Sequence, residues 1–386
     1  MTEALLLVGI AVAFFVGFNI GGSNTGVAFG PAVGSRTVSK LGAGALMGVF
    51  ALLGGWTVGR RVVTTLGSDL VVGDPFTVAA SVVVLLFVGL ALFVSNLFGV
   101  PASTSMTAVG AVAGYGLATD RLATGLALEI VSWWLVAPLA GFWISAVVGR
   151  YAYADIDARV AIDRSEGPLL ALRRDGVLPV PTLGEGTTRR ELSGSFLVVA
   201  IGCYMAFSAG ASNVANAVAP LVGNGSLSMD AGILLAAVAI AVGALTIARR
   251  TLETMGNDLT ELPLTAALVV ATVSATLVTV LSWLGIPASF VVIATMSIVG
   301  LGWGRETVRE REASVLASPS PTPDPTAPGP PDRLDAADPG LDADGRAALY
   351  RPATTARVVF LQNLVPAVAT VGAYLVFSAV GPAVAL

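Results

Sequence analysis

The sequence predicts an all-α, polytopic transmembrane helical bundle of two inverted repeats with broken or re-entrant helices, and three observations lead to this prediction. The 386 residues are 55% hydrophobic and 12% charged, with a mean hydropathy of +0.83, which is too apolar for an ordinary soluble domain. Apolar runs repeatedly reach the roughly 18 to 25 residues that a helix needs to cross a bilayer. The third observation is an internal duplication.

The two copies of the duplication lie 189 positions apart. Eight residues around a Gly-Ser-Asn motif recur at this offset: Phe18, Gly21, Ser23, Asn24, Ala28, Pro31, Val33 and Gly34 match Phe207, Gly210, Ser212, Asn213, Ala217, Pro220, Val222 and Gly223. A further match joins residues 98–103 with residues 284–289. Twofold repeats of membrane segments, interrupted by Gly and Pro at corresponding places, are typical of secondary transporters with a binding site at the membrane midplane.

Each half offers five apolar segments. In the first half they cover 4–20, 41–58, 76–98, 101–118 and 122–148, with a short Gly-Pro stretch at 25–34. In the second half they cover 195–209, 231–248, 264–284, 287–302 and 357–383, with the matching short stretch at 214–223. Five crossings per half would invert one half relative to the other. The first repeat is therefore predicted at 1–148, the main part of the second at 194–302, and its last helix at 357–386.

Two polar loops separate these parts. Residues 149–193 contain seven arginines, and residues 303–356 begin with three more before a Pro- and Asp-rich run. Four predicted crossings lie between the loops, so both fall on one side of the membrane, and their arginines place that side in the cytoplasm. The Pro/Asp-rich run cannot bury enough apolar surface to fold alone, so we expect it to be disordered.

Composition argues against several classes of function. One chain with no histidine and a single cysteine, Cys203, cannot build a disulfide framework, a thiolate metal cluster or the usual hydrolytic constellations. A Ser-Lys dyad would need Lys40, which lies at a predicted helix start. The net charge of -4 does not suit nucleic acid. We therefore expect no enzymatic activity, no cofactor, no metal site and no nucleic-acid partner, with the lipid bilayer as the surroundings.

The Gly-Ser-Asn motifs are the first candidates for substrate binding. Ser23 and Asn24 in one copy, and Ser212, Asn213 and Asn216 in the other, place hydroxyl and amide groups beside glycines that let backbone approach a ligand closely. A helix that starts at this point would direct its N–H groups and the positive end of its dipole inward, which suits an oxyanion. The alternative is that Ser-Asn is a plain N-cap without a ligand.

Hydroxyl groups that follow a proline in each half are the second candidates. Ser103 and Thr104 lie in the sequence PASTS, and Ser289 lies in PASF. These positions are predicted mouths of a second broken helix, where hydroxyls can donate to an anion or accept at a cation. The alternative is that each hydroxyl bonds back to its own helix or to a neighbouring one.

Charged residues near the membrane segments have simpler interpretations. Arg60, Arg61 and the matching pair at 249–250 end apolar segments, where arginine commonly reaches the headgroups. An aspartate follows each pair nine residues later, at Asp69 and Asp258, which indicates a structural ion pair in each half or a gate. Glu129 lies within an apolar run and is a candidate intramembrane carboxylate, unless its helix begins later and the residue is interfacial.

At these motifs the chain resembles the PiT family of inorganic phosphate transporters, whose halves each carry a signature close to G-A-N-D-V-A-N. The equivalents here are GGSNTGV and GASNVAN, and PASTSM and PASFVV stand where that family has P-V-S-T-T-H. SWWLVAPLAG is similar to its S-W-x-x-S-P-L-x-G. The resemblance implies an inverted-repeat transporter that carries phosphate with a cation by alternating access, with substrate held by the signatures and the Ser-Thr motifs.

Several positions depart from the family pattern. Asn24 and Asn213 replace the signature aspartates, Val27 replaces an asparagine, and Met106 and Val292 replace the motif histidines. In the family these aspartates are the expected cation ligands, so Asn24 and Asn213 are the cation-binding candidates here. Their neutral carbonyl oxygens leave Na+ as a candidate coupling ion with weaker binding. An asparagine cannot be protonated, so proton coupling would need another carboxylate such as Glu129.

The same replacements affect the choice of substrate. Two fewer negative charges would ease the binding of a divalent oxyanion in a low-dielectric site, so sulfate is an alternative to phosphate, and some members of this family are sulfate permeases. Phosphate stays first because the carbonyl oxygens of Asn24, Asn213 and Asn216 would accept its proton. A sensor that binds the anion without transporting it, and a homodimer, are both left open by the sequence.

Overall fold

The computed structural model describes residues 2–73, 76–97, 103–160, 170–173, 180–183, 188–247, 263–316 and 352–380. Nearly all of these residues are helical, as predicted. The helices in these ranges are α1 (Thr2–Gly34), α2 (Lys40–Gly54), α3 (Arg60–Thr64), α4 (Val78–Leu97), α5 (Thr104–Ala118), α6 (Thr124–Tyr151), α7 (Tyr153–Val160), α8 (Arg189–Gly223), α9 (Met229–Thr246), α10 (Leu264–Trp283), α11 (Phe290–Leu316) and α12 (Pro352–Val380).

Helices α1 and α8 run without interruption through the Gly-Ser-Asn motifs, so the prediction that a helix starts at each motif is wrong. Instead of opening the backbone, the motif glycines allow helices to touch. A β carbon on Gly21 would lie 2.0 Å from the carbonyl oxygen of Ile240, and one on Gly210 would lie 2.1 Å from that of Ala51. Such contacts exclude any side chain and are a common way for membrane helices to pack.

Each of these close contacts joins a helix of one half to a helix of the other half, so the halves exchange packing partners. Gly54 of α2 packs closely against the carbonyl oxygen of Phe207 in α8. In the same way, Gly243 of α9 packs against the carbonyl oxygen of Phe18 in α1. These residues are equivalent at the 189-residue offset. The same exchange recurs elsewhere, because α5 packs on α12 and α11 packs on α6. The duplication of the sequence is therefore also a duplication of its packing.

The equivalent helices α1 and α8 run antiparallel. Gly9, near the start of α1, lies against Leu221, near the end of α8. Gly202, in the first half of α8, lies against Phe29, near the end of α1. One helix of the pair is thus turned end to end relative to the other.

Within the described ranges, eight helical spans are long and apolar enough to cross a membrane, so the chain is a multi-pass membrane protein. They are 3–34, 40–69, 78–97, 124–151, 191–223, 229–246, 264–283 and 363–380. The predicted crossings at 101–118 and 287–302 are not among them. In the first of these places α5 has only 15 residues, about 22 Å at 1.5 Å per residue, which is shorter than a hydrocarbon core of about 30 Å.

The second span is longer than the predicted segment 41–58. It joins α2 to α3 through a π-helical turn at Gly55–Gly59 and continues through another at Thr65–Asp69. π-Helical turns are rare and occur often at functional sites. The pair Arg60-Arg61 therefore lies between two irregular turns rather than at a helix end.

The polar loops contain some regular structure. Residues 149–193 include α7 and an antiparallel hairpin of β1 (Leu170–Arg173) and β2 (Val180–Leu183), an exception to the all-α prediction. Helix α11 continues to Leu316, past its predicted end at residue 302. The predicted disordered loop at 303–356 is therefore helical at both ends, since the last helix already begins at Pro352. Its Pro/Asp-rich run at 318–345 lies outside the described residues, as do the pair at 249–250 and Asp258.

Candidate functional site

Five neutral polar side chains meet in the interior between the start of α5 and the middle of α8. Their relative exposures are at most 8%, in a chain whose other interior residues are mainly apolar. We call them the polar cluster: Thr104, Ser105, Ser212, Asn213 and Asn216. Burying a polar group costs free energy unless it is hydrogen-bonded, so the bonds that join these side chains determine whether the arrangement is stable.

Helix α8 supplies three members of the polar cluster. Asn213 and Asn216 are three residues apart and therefore share a face of the helix. The Asn216 side chain donates from Nδ2 to Oδ1 of Asn213 at 2.9 Å. Oδ1 of Asn216 is buried and has no hydrogen-bond partner. This oxygen is a free acceptor in the cluster.

Helix α5 supplies the other two members because of how it begins. Ser103 is the N-cap, with Oγ accepting from the backbone N–H of Met106 at 3.2 Å. The next two residues then face α8. Thr104 donates from Oγ1 to Oδ1 of Asn213, and Ser105 lies 3.0 Å from Ser212, hydroxyl to hydroxyl. A helix begins directly after the PAS sequence in both copies, as predicted, since α11 begins at Phe290.

A third element closes the network from the other side. Ser212 donates from Oγ to the backbone carbonyl of Ala288 at 3.0 Å. Residue 288 lies in the non-helical connection 284–289 between α10 and α11. Because the Ser212 proton is used there, the Ser105 hydroxyl is the donor in the 3.0 Å contact with Ser212, and it also lies 3.5 Å from Oδ1 of Asn213. The Ser105 oxygen accepts from Nδ2 of Asn216 at 3.4 Å. The hydrogen bonds therefore have a defined direction.

The predicted site residues divide into those that the structure brings together and those that it does not. Thr104, Ser212, Asn213 and Asn216 are in the polar cluster. Ser103 and Ser289 are buried beside it but act as helix caps, since Oγ of Ser289 accepts from the N–H of Val292 at 3.4 Å. Ser105 is a member that the residue-level prediction omitted, although it is the last residue of the PASTS sequence.

The first copy of the motif has different surroundings. Ser23 bonds within its own helix, with Oγ 3.2 Å from the carbonyl oxygens of Asn19 and Ile20. Asn24 is only partly buried, and its Nδ2 atom has no hydrogen-bond partner. Among the described residues, no hydrogen bond links either side chain to the polar cluster. Their predicted roles in substrate and cation binding remain predictions.

A small pocket lies beside the polar cluster. It includes Ala288, whose carbonyl is bonded to Ser212, together with the cap residue Ser289. Met106 and Val292, which stand where the resembled family has histidines, line this same pocket. The remaining lining residues are Trp133, Trp134, Ala137, Pro138 and Ile293. The two positions that depart from the family's histidines therefore line one common space.

The charged candidates lie elsewhere. Arg60 forms an ion pair with Asp230 of α9. The prediction that its ion-pair partner is Asp69 is therefore wrong. The reason is topological, because packing of the two halves brings α9 beside the end of α2. Glu129 lies in the second turn of α6 with an exposed side chain, and so is not an interior carboxylate.

Similar proteins agree with this architecture. The sequence matches the phosphate transporter family over residues 20–172 and 178–318. It is 32% identical over 303 residues to the sulfate permease CysP of Bacillus subtilis (strain 168), covering 78% of this chain and 77% of that protein. The fold is similar to that of a solved chain named "The sodium-dependent phosphate transporter", with a TM-score of 0.67, 18% identity, and coverage of 98% of this chain and 100% of the other.

Proposed function

Because this chain belongs to the phosphate transporter family, we propose that it carries inorganic phosphate across the membrane by cation-coupled symport with alternating access. The observation that carries this proposal is the polar cluster, five neutral hydrogen-bonding side chains buried between α5 and α8. Buried polar groups within a membrane are costly and usually functional. The proposed substrate-binding set is the cluster together with the two caps Ser103 and Ser289, and with Ser23 and Asn24 of the first copy.

The chemistry of the polar cluster suits a tetrahedral oxyanion. Hydroxyl and amide N–H groups donate hydrogen bonds, and bonds to a charged partner are stronger than those between neutral groups. An arriving anion would therefore take donors from bonds that the side chains now make with one another. The free oxygen Oδ1 of Asn216 is available to accept a hydrogen bond from the hydroxyl of a hydrogen phosphate.

Alternating access is supported by the relation between the halves. The antiparallel course of α1 and α8 and the exchanged glycine contacts fit two repeats of inverted orientation. In such transporters one repeat or bundle rocks against the other around a fixed midplane site. The polar cluster combines a first-half helix with a second-half helix, so relative motion of the halves would open or close it.

Sodium is the proposed coupling ion. The second-copy candidate ligand is Oδ1 of Asn213, which accepts from Thr104 and Asn216 and would exchange these hydrogen bonds for the ion. The first-copy candidate is Oδ1 of Asn24. The solved chain of similar fold is named a sodium-dependent transporter, which supports the same ion here. Neutral amide oxygens give weaker cation binding than carboxylates, and the exposed Glu129 gives no support to a proton route.

Sulfate is the second candidate substrate, and two observations favour it. All five members of the polar cluster are uncharged, so no carboxylate opposes a fully ionised divalent anion. CysP, a relative at 32% identity, is named a sulfate permease. Sulfate at neutral pH only accepts hydrogen bonds, so the free acceptor on Asn216 would then lack a substrate proton.

The test is uptake of labelled phosphate and sulfate into proteoliposomes, with an inward sodium gradient, an inward proton gradient and neither. Sodium-stimulated phosphate uptake is the expected result. Uptake of sulfate alone would make sulfate the substrate, and uptake without cation dependence would overturn symport. Anion binding in detergent with no uptake of either anion would support a sensor. Mass photometry of the protein purified in detergent would test whether it is a homodimer.

A further inference from the structure

Arg61 makes a contact that neither the polar cluster nor the proposed cation site uses. Its guanidinium donates from Nη1 to the backbone carbonyl of Trp283 at 2.7 Å and lies 4.9 Å from the centre of the Trp283 ring. Trp283 is the last residue of α10. Carbonyls in the last turn of a helix have no partner within the helix, and a positive charge is favourable there. Arg61 thus caps a helix of the other half of the chain.

The residues that follow Trp283 form the non-helical connection 284–289, which reaches the polar cluster. Its carbonyl oxygens are held from two sides, Pro287 by Nε1 of Trp134 at 2.9 Å and Ala288 by Oγ of Ser212 at 3.0 Å. The Arg61 contact fixes the beginning of the connection, and the Ser212 contact fixes its end. A shift at Trp283 therefore has a short covalent path to the cluster.

The connection also touches the helix that carries Arg61. Gly285 has a positive φ of 82°, and a β carbon there would lie 3.0 Å from Oγ1 of Thr65 and 3.7 Å from the carbonyl oxygen of Arg61. Arg61 and Thr65 are four residues apart and bonded to each other through Oγ1 of Thr65 and the Arg61 carbonyl, at 3.0 Å. The segment from α3 into the following π-helical turn therefore holds the connection by a side-chain bond and by close packing.

The neighbouring arginine provides a matched comparison. Arg60 pairs with Asp230 at the start of α9, donates from Nε to the carbonyl of Trp56 at 2.8 Å, and lies 4.8 Å from the centre of the Trp56 ring. It has the same kind of ring contact as Arg61 and also joins the two halves. Its described bonds do not involve the connection 284–289. Variants at the two arginines can therefore distinguish the loss of a general anchor between the halves from the loss of control over the connection.

We propose that Arg61 is a positioning residue that holds the connection 284–289 in register and thereby sets the geometry of the Ser212 hydroxyl for the transported anion. The inference rests on the proposed function for its link to transport, but not for the contact itself. An arginine is suited to this role because its planar fork can bond a carbonyl while it stacks on an aromatic ring.

The first arm of the test measures the connection directly. Hydrogen–deuterium exchange of the peptide that contains 284–289 is compared for the wild type, Arg61→Gln and Arg60→Gln, all purified in the same detergent. We expect faster exchange at this peptide in Arg61→Gln alone. Equal exchange in all three proteins would overturn the proposal, even if the wild type carries neither anion.

The second arm measures transport of the anion that the wild type carries. Arg61→Gln should raise KM about fivefold, which is the size of effect expected for the loss of one ordinary hydrogen bond, with kcat per folded protein little changed. Arg61→Lys should recover part of the affinity because it keeps a charged donor. Arg60→Gln should keep the wild-type KM. A fall in kcat at constant KM in Arg61→Gln would indicate a structural anchor and contradict the proposal.

A variant on the opposite side of the contact gives independent evidence. Gly285→Ala introduces a β carbon at a positive φ and close to Thr65, so it should displace the same connection. It should raise KM in the same direction as Arg61→Gln while Arg61 itself is intact. If the exchange of 284–289 becomes faster while KM is unchanged, the connection does not control the cluster and the proposal is wrong.

Discussion

In α8 the motif residues Ser212 and Asn213 bond to a second helix and to the connection before α11, whereas in α1 the hydroxyl of Ser23 bonds to its own backbone. The glycines of the two copies nevertheless make nearly identical contacts, with β-carbon distances of 2.0 and 2.1 Å to a facing carbonyl oxygen. The duplication is thus symmetric in packing and asymmetric in polar chemistry.

The asymmetry covers three positions of each copy, one in the motif and two adjacent ones after the PAS sequence. Asn216 in the second copy corresponds to Val27 in the first. The hydroxyls of Thr104 and Ser105 correspond to the apolar side chains of Phe290 and Val291, when Ser103 is matched to Ser289. The three residues that surround Asn213 are therefore polar, whereas the three residues at the matching positions for Asn24 are apolar. Packing therefore constrains both copies, whereas hydrogen bonding to substrate is expected mainly at the second copy.

The largest expected effect is on the motif asparagine of the polar cluster. Asn213→Leu should lower uptake by at least about 100-fold, because it removes the amide and leaves the donors of Thr104 and Asn216 without their acceptor. Initial uptake rates in proteoliposomes measure this, with gel-filtration profiles to show that the variant is folded. Asn24→Leu is the matched control and should lose less than about tenfold. Near-normal uptake by Asn213→Leu would refute the assignment.

The glycine contacts should respond equally in both copies. Gly21→Ala and Gly210→Ala each place a methyl group against a backbone carbonyl, and overpacking of this kind costs about 1–3 kcal/mol of stability. Thermal unfolding in detergent would show a similar fall for the two variants. Gly125→Ala is the control, because its β carbon would meet nothing within 4 Å. A fall in one variant alone would break the packing symmetry.

A smaller effect is expected at the cluster member that sequence reasoning omitted. Ser105→Ala should lower uptake about fivefold, since it removes one donor to Ser212 and the acceptor for Asn216. The comparison variant is Ser132→Ala, whose hydroxyl bonds to the carbonyl of Leu128 within its own helix. Equal uptake by the two variants would remove Ser105 from the site.

The smallest effect should come from restoring one polar group to the first copy. Val27→Asn makes that motif similar to the second copy, but the positions that would supply its partners are the apolar Phe290 and Val291. Uptake should change by less than about twofold, because the neighbouring residues offer no hydrogen-bond partners that would orient the new amide. A large rise in rate would show that the first copy is a substrate site that lacks only this group.

Much of the fold could be predicted from the sequence because apolar length and repetition are local signals. The eight membrane spans found in the described ranges correspond to eight of the ten predicted segments. The course of the backbone at the motifs could not be predicted, because Gly-Gly-Ser-Asn and Gly-Ala-Ser-Asn are both compatible with a helix start and with a tightly packed helix interior. The choice depends on Ile240 and Ala51, which lie far away in the sequence and meet these glycines only in the folded bundle.

The candidate site was predictable by residue type but not by pairing. The duplication and the PAS motifs identified Thr104, Ser212, Asn213 and Asn216, which the structure brings together. That Ser105 faces α8 depends on where α5 begins. The pairing of Arg60 with Asp230 depends on the exchange of helices between halves, which places α9 rather than the local segment beside it.

The measurement that tests the central claim most directly is the location of a bound heavy-atom analogue by anomalous X-ray diffraction. Crystals are soaked with arsenate or selenate, which have the tetrahedral shape of phosphate and sulfate and carry an anomalous scatterer. We predict a peak within hydrogen-bonding reach of Thr104, Ser105 and Asn213. A peak beside Ser23 and Asn24, with none at the polar cluster, would contradict the account.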